Sequence, residues 1–498
     1  MHRKNIGLVL GLALFVIVLS LPVPEGMQPE AMRVLAVAML MATWWITEAI
    51  PIPATALLPI ILFPLLGVMS GSAVTVPYAN HLIYLFLGGF LIAVTIEKWN
   101  LHHRIALHTI LVVGTTRNRI ILGFMLATAV LSMWISNTAA TMLMLTIGLA
   151  VLSQVAGEIG KNKDLRINTK PGEFRFGTAL MLGIGYAASI GGIATLIGTP
   201  PNAILAGIVE KQYGYTISFL DWMLLALPLS AIMLLLTWFY LTRIAFPAEI
   251  DHLPGGRELI RQRAVDLGPM SREEKLVLTV FSTVAFLWIA RGLVDTGEVQ
   301  FVKDSTIAMG GALLLFLIPS DLKKREFLLD WKTAVRIPWD ILILFGGGFA
   351  LAEGFNTSGL TLAVANQLEV LQGMNILLVV AFITAVVIFL TEITSNTATA
   401  SLFLPVMGAL ATGMSIHPYG LMVAAALAAS FAFMLPVATP PNAIIFSSRQ
   451  VLMQQMVRAG IWLNLVGILL ISLFITIMLP AVWGIDLNTL SPDPAPGK

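Results

Sequence analysis

Two copies of one polar triplet, Ser136-Asn137-Thr138 and Ser395-Asn396-Thr397, lie inside long apolar runs, MWISNTAATMLML and EITSNTATASLFL. Several such runs reach the ~20 residues that cross a bilayer. Polar groups placed in hydrocarbon must find partners there, so each triplet demands a reason and the pair demands a symmetric one. Only 11% of the 498 residues are charged and 57% are hydrophobic, against roughly 25% charged in a soluble domain. The chain reads as an all-α polytopic membrane protein, not as a soluble protein with a very large core. A net charge of +2 offers nothing to nucleic acid, and the absence of cysteine excludes disulfides and thiolate metal sites.

Apolar segments fall near 5–22, 31–49, 52–69 and 80–97, with an amphipathic piece near 100–115. The run 119–154 carries the first triplet and precedes a polar loop at 156–175. The run 176–209 is broken by Gly198-Thr199-Pro200-Pro201-Asn202, and a span near 219–241 leads into a charged linker at 247–274. The second half repeats the plan, with spans near 275–293, 305–319 and 338–355 and an amphipathic piece near 357–371. The second triplet lies in 375–413, the break Ala438-Thr439-Pro440-Pro441-Asn442 in 417–447, and a last span near 459–484. The N-terminal run could pass for a signal peptide but lacks a small-x-small cleavage site, so it is expected to stay as the first span.

The repeat is arithmetical. Leu85-Phe86-Leu87-Gly88-Gly89-Phe90 recurs as Leu344-Phe345-Gly346-Gly347-Gly348-Phe349 at an offset of 259, and the triplets share that offset. The Thr-Pro-Pro-Asn breaks are offset by 240, and the polar loop of the first half accounts for most of the difference of 19. Loop charge then sets the topology. With the N-terminus in the cytoplasm and both triplet segments as re-entrant hairpins, the basic loops fall inside, among them Arg104, Lys170, Arg261, Lys323 and Arg458. Lys211, Lys303 and Lys498 are the exceptions. This arrangement has roughly eleven crossings, an outside C-terminus, and an inverted repeat with two discontinuous helices, a pattern that points to a midplane site in a secondary transporter.

Each Thr-Pro-Pro-Asn ends one helix and starts another. The break frees carbonyls at Gly198 and Ala438, which suit a bare cation, while the new half-helix N-terminus suits an anion. In the triplets, hydroxyl and amide oxygens can coordinate Na⁺, and backbone N–H groups, the threonine hydroxyl and the asparagine amide can grip a carboxylate. The blander alternative, a helix N-cap at each triplet and a simple kink at each Pro-Pro, serves for any one motif. Two copies of both at matching offsets weigh against it. No Lys or Arg lies near the triplets, so a bound anion must be neutralised by co-bound cations and helix dipoles, which favours cation-coupled symport. Glu392 is the one acid beside the site. It is open to three readings: tuning a second cation site, an interhelical hydrogen bond, or a neutral carboxyl. His102 and His103 read as surface groups and not as metal ligands. No phosphate-binding loop or zinc-protease motif is present, which speaks against ATP as the driver and against a membrane enzyme.

With its duplicated SNT and (G/A)TPPN motifs, the chain resembles the divalent anion/sodium symporters over about residues 5–485. These carriers move di- and tricarboxylates or sulfate. The resemblance implies a homodimer in which each protomer has a scaffold and a transport domain that moves as an elevator. The first-repeat scaffold would be 1–115 and its transport part 116–246; after the cytoplasmic linker 247–274, the second-repeat scaffold would be 275–371 and its transport part 372–498. It further implies one Na⁺ site at Ser132, Ser136, Asn137 and the Gly198 carbonyl, and another at Thr391, Thr394, Asn396 and the Ala438 carbonyl. Thr394 stands where the family more commonly has alanine. Substrate carboxylates would meet Asn137, Thr138 and Thr199 from one half, and Asn396, Thr397, Thr439 and Pro440 from the other. The expectation is a plasma-membrane carrier, with no organic cofactor, that takes up a C4-dicarboxylate such as succinate, malate or fumarate with Na⁺. Open beside it stand a sodium-independent dicarboxylate or citrate exchanger, a sulfate carrier and, from another class, a membrane enzyme or channel.

Overall fold

A computed structural model describes residues 2–114, 116–161, 168–247, 256–293, 301–368 and 372–490. Parts of the expected polar loop (162–167) and linker (248–255), and the tail with Lys498, lie outside the described residues. The protein is almost entirely helical, its only described sheet a small hairpin pairing Pro319–Asp321 with Glu326–Phe327. Seven helices among the described residues are long and apolar enough to cross a membrane, or eight if the pair Trp339–Thr357 and Leu360–Gln367, bent by 71°, counts as one span. The N-terminal run is one of them. Helix His2–Ser20 packs on Pro29–Thr47, whose Trp44 indole donates to the Leu8 carbonyl at 3.3 Å.

Not every expected span is long. The 52–69 segment forms only the short pieces Ile52–Thr55 and Leu58–Leu65, because Pro51, Pro53, Pro59 and Pro64 repeatedly remove backbone donors. The charged linker contains the helix Gly256–Asp266. On the amphipathic helix Leu101–Val113, His102 is buried and touches the Ile96 carbonyl; it is not a surface group.

Helix boundaries repeat at the sequence offsets. Arg117–Ser132 and Ile376–Thr391 begin and end 259 residues apart, and the helices that follow start at Asn137 and Asn396, also 259 apart. The half-helices after the breaks start at Pro200 and Pro440, 240 apart. The glycine motif has a packing reason in both copies. A Cβ on Gly88 would stand 2.6 Å from the Ala308 carbonyl carbon, and one on Gly347 would stand 2.4 Å from the Ala56 carbonyl oxygen. Only glycine lets these helices approach so closely.

Candidate substrate and cation site

The chain turns at 133–136 and at 392–395, leaving each asparagine of the triplets as the first residue of a new helix. The preceding arms have 16 residues each, about 24 Å at 1.5 Å per residue and short of a ~30 Å hydrocarbon core. Ser136 caps its helix, its hydroxyl accepting from the Ala139 N–H at 3.2 Å. Ser395 occupies the same place without such a bond.

Oxygens crowd together beneath each turn. The Ser132 hydroxyl reaches both Asn137 Oδ1 and the Ala188 carbonyl, the latter at 2.7 Å. In the second copy the Thr391 hydroxyl reaches Asn396 Oδ1 at 2.8 Å and the Ala429 carbonyl at 2.9 Å. One hydroxyl proton cannot satisfy two acceptors at once, so each cluster has more lone pairs than donors, the surroundings a hard cation prefers. Gly198 closes the first cradle: a Cβ on Gly192 would meet Asn137 Oδ1 at 2.7 Å and the Gly198 carbonyl at 3.1 Å. Thr394, by contrast, turns its hydroxyl to the Leu390 carbonyl (2.9 Å) and to Thr399 (2.6 Å), away from the Asn396 cluster.

The helix breaks are held open by an amide clamp. Asn202 Nδ2 donates to the Thr195 carbonyl at 2.8 Å and the Ile193 carbonyl at 3.2 Å. Asn442 Nδ2 donates to the Ala432 and Leu435 carbonyls at 2.9 and 3.1 Å. Thr199 and Thr439 precede the half-helices with extended backbones (φ −145° and −141°), and proline fills the first helical position of each. Thr199 is buried, as are Thr439, Thr397 and Ala438, while Thr138 is half-buried and Pro440 is exposed. Neither Asn137 nor Asn396 commits its Nδ2 to a partner among the described residues, leaving two amide donors for a ligand.

Thr199 Oγ1 lies 3.4 Å from Ser430 Oγ. Ser430 adjoins Ala429, whose carbonyl meets Thr391, and Thr199 adjoins Gly198 in the first cradle. The Thr199–Ser430 contact therefore joins the two repeats at residues adjacent in the chain to each oxygen cluster.

The turns are secured differently. In the first, the Thr195 hydroxyl donates to the Met133 carbonyl at 2.6 Å. In the second, Glu392 takes Met133's place at the offset of 259. Its carboxylate accepts the backbone N–H groups of Phe433 (2.8 Å), Met434 (2.9 Å) and Leu435 (3.0 Å), and the Asn464 amide at 2.7 Å. Of its three readings, the geometry shows the hydrogen bond between helices, to Asn464, and adds three bonds to backbone N–H groups. The carbonyls of Ala188 and Ala429, Ser430 and the amide clamp had no signal in side-chain pattern beyond the asparagine of each TPPN.

The chain is similar to known transporters over nearly its whole length. The chain is 48% identical to the sodium-dependent dicarboxylate transporter SdcS of Staphylococcus saprophyticus, over 97% of this chain and 93% of that one. It is 46% identical to SdcS of Staphylococcus aureus strain USA300, over 97% and 92%. At 12% identity its fold resembles the Alcanivorax borkumensis YdaH transporter, with a TM-score of 0.53 over 91% of this chain and 99% of that one. The Neisseria gonorrhoeae efflux pump MtrF gives a TM-score of 0.54 over 94% of each chain, also at 12% identity. The family profile described as the sodium:sulfate symporter transmembrane region matches residues 2–487, and this multi-pass membrane protein belongs to that transporter family.

Proposed function

We propose that the protein couples Na⁺ entry to uptake of a C4-dicarboxylate. Ser132, Ser136, Asn137 and the Gly198 carbonyl hold one Na⁺; Thr391, Asn396 and the carbonyls of Thr394 and Ala438 hold the other. The dianion lies between the tips, on Asn137, Thr138 and Thr199 from one repeat and Asn396, Thr397, Thr439 and Pro440 from the other. Sodium binds first: it converts a crowd of lone pairs into a positive site, which the dianion then neutralises. The observation that carries this reading is the Thr199–Ser430 contact joining two oxygen-rich tips, each with an uncommitted amide donor. The sodium-dependent dicarboxylate relatives support the choice of ion and substrate class. The test is uptake of labelled succinate into proteoliposomes with and without an inward Na⁺ gradient, competed by succinate, citrate and sulfate. Equal uptake without Na⁺ would identify an exchanger instead.

The mechanism in this reading is an elevator within a plasma-membrane homodimer, with the scaffold and transport divisions given above, the N-terminus cytoplasmic and the C-terminus outside. Two of the orientation's exceptions are ion-paired: Lys211 with Glu353 at 3.6 Å and Lys303 with Glu210 at 2.6 Å. Glu210, in the transport part, is also 2.5 Å from His81 of the scaffold. These pairs straddle the sliding boundary and hold one end state. Glu210→Gln is therefore expected to shift the end-state ratio by roughly tenfold, the effect of one lost charge-assisted bond. With no native cysteine, spin labels at Tyr84→Cys and Val437→Cys read that ratio directly; an unchanged distance distribution would refute the latch.

A further inference from the structure

We propose that the groove between the end of helix Phe219–Ala245 and the start of helix Met453–Trp483 binds an anionic phospholipid. The groove encloses about 810 Å³, and no residue of either triplet lines it. Leu236, Phe239, Ile244, Trp462 and Val466 make its apolar wall. Phe239, Ile244 and Trp462 are more than half exposed (52%, 62% and 56%), so in a membrane they face lipid. Arg458 lines one end, close enough to Tyr240 to interact with it electrostatically. Arg243 follows on the adjoining turn, where the helix loosens into π geometry over Tyr240–Ala245, a departure that recurs at functional sites.

Charge complementarity selects the occupant. Arg104 and Arg291 are paired with Glu274 and Asp304, but Arg243 and Arg458 have neither an acid nor a carbonyl partner among the described residues. One uncompensated guanidinium group in the lining of this apolar groove, Arg458, and a second beside the lining residue Ile244, Arg243, match a phosphate headgroup with acyl chains along the apolar wall. Basic pockets between transmembrane helices take anionic headgroups for this reason. Arginine suits the phosphate through its planar fork of donors.

The test is lipid retention by the full-length purified protein, delipidated and then re-exposed to phosphatidylglycerol or phosphatidylcholine of the same acyl composition, read by native mass spectrometry. Wild-type protein is expected to favour phosphatidylglycerol by roughly thirtyfold, the combined attraction of two near-surface arginines. The double change Arg243→Gln/Arg458→Gln should abolish the preference, and both side chains are exposed, so the fold should survive. Ala245→Phe, which fills the groove and keeps both arginines, should lower retention of both lipids. Inorganic phosphate should not compete. Equal retention of the two lipids, a preference that outlives the double change, competition by phosphate alone, or a polypeptide retained in the groove would each overturn the proposal.

Discussion

Asn137→Ala is expected to lower sodium-driven uptake at least a hundredfold while the protein still folds and inserts. The side chain has two jobs in the proposed site. Its Oδ1 sits in the cluster with the Ser132 hydroxyl and beside the Gly198 carbonyl, and its Nδ2 is a free donor. Alanine removes a cation ligand and a carboxylate donor together. Hydrogen bonds to charged groups contribute roughly 1.5–3 kcal/mol, and each 1.4 kcal/mol is a factor of ten, so losing one of each predicts roughly two to four orders of magnitude. The fold should tolerate the change, because the Ser132 hydroxyl keeps the Ala188 carbonyl as acceptor. Asn396→Ala should behave alike, with Thr391 retaining the Ala429 carbonyl. The measurement is initial uptake against Na⁺ concentration in proteoliposomes, with thermal unfolding as the control. Wild-type uptake by both variants would sink the site assignment.

Much of this site was legible in the residues. The two triplets, the two breaks and their offsets marked which segments must correspond, and the helices begin at those residues. The legible part was the chemistry of side chains in an apolar background. Hydropathy has no access to where a carbonyl points, so Ala188 and Ala429 left no trace; each becomes a candidate ligand only because a hydroxyl 56 or 38 residues away reaches it. Asn202 and Asn442 stood in plain view within TPPN, but their clamp on the freed carbonyls depends on how the broken segment folds back. The segment expected at 52–69 is apolar and helical but interrupted, for a local reason. Its apolar composition is right, but its prolines interrupt the helix, and a hydropathy window counts proline as merely neutral.

Glu392→Ala is expected to cause the largest loss of stability of any single change at the site. Four donors converge on this carboxylate: three successive backbone N–H groups of the second break and the Asn464 amide. Alanine strands all of them in an apolar interior, and each unsatisfied donor costs about 1–3 kcal/mol, a total comparable with the 5–15 kcal/mol that holds a typical domain together. Glu392→Gln separates this positional role from mere presence of a side chain. Its one carbonyl oxygen can still accept from Phe433, Met434 and Asn464, but its NH₂ then confronts the Leu435 N–H, donor against donor. The glutamine variant should fold with a modestly lower Tm and distort the segment between Ala429 and Thr439. That segment carries the Ala429 and Ala438 carbonyls of the second cation cluster and none of the groups assigned to the first. Sodium affinity measured at that cluster should therefore fall roughly tenfold, by the loss of about one hydrogen bond to a charged group. Combining it with Asn396→Ala should add little, because both act on one site; combining it with Asn137→Ala should multiply. If the glutamine variant matched wild type in Tm and in sodium dependence, Glu392 would be a bystander to the break it caps.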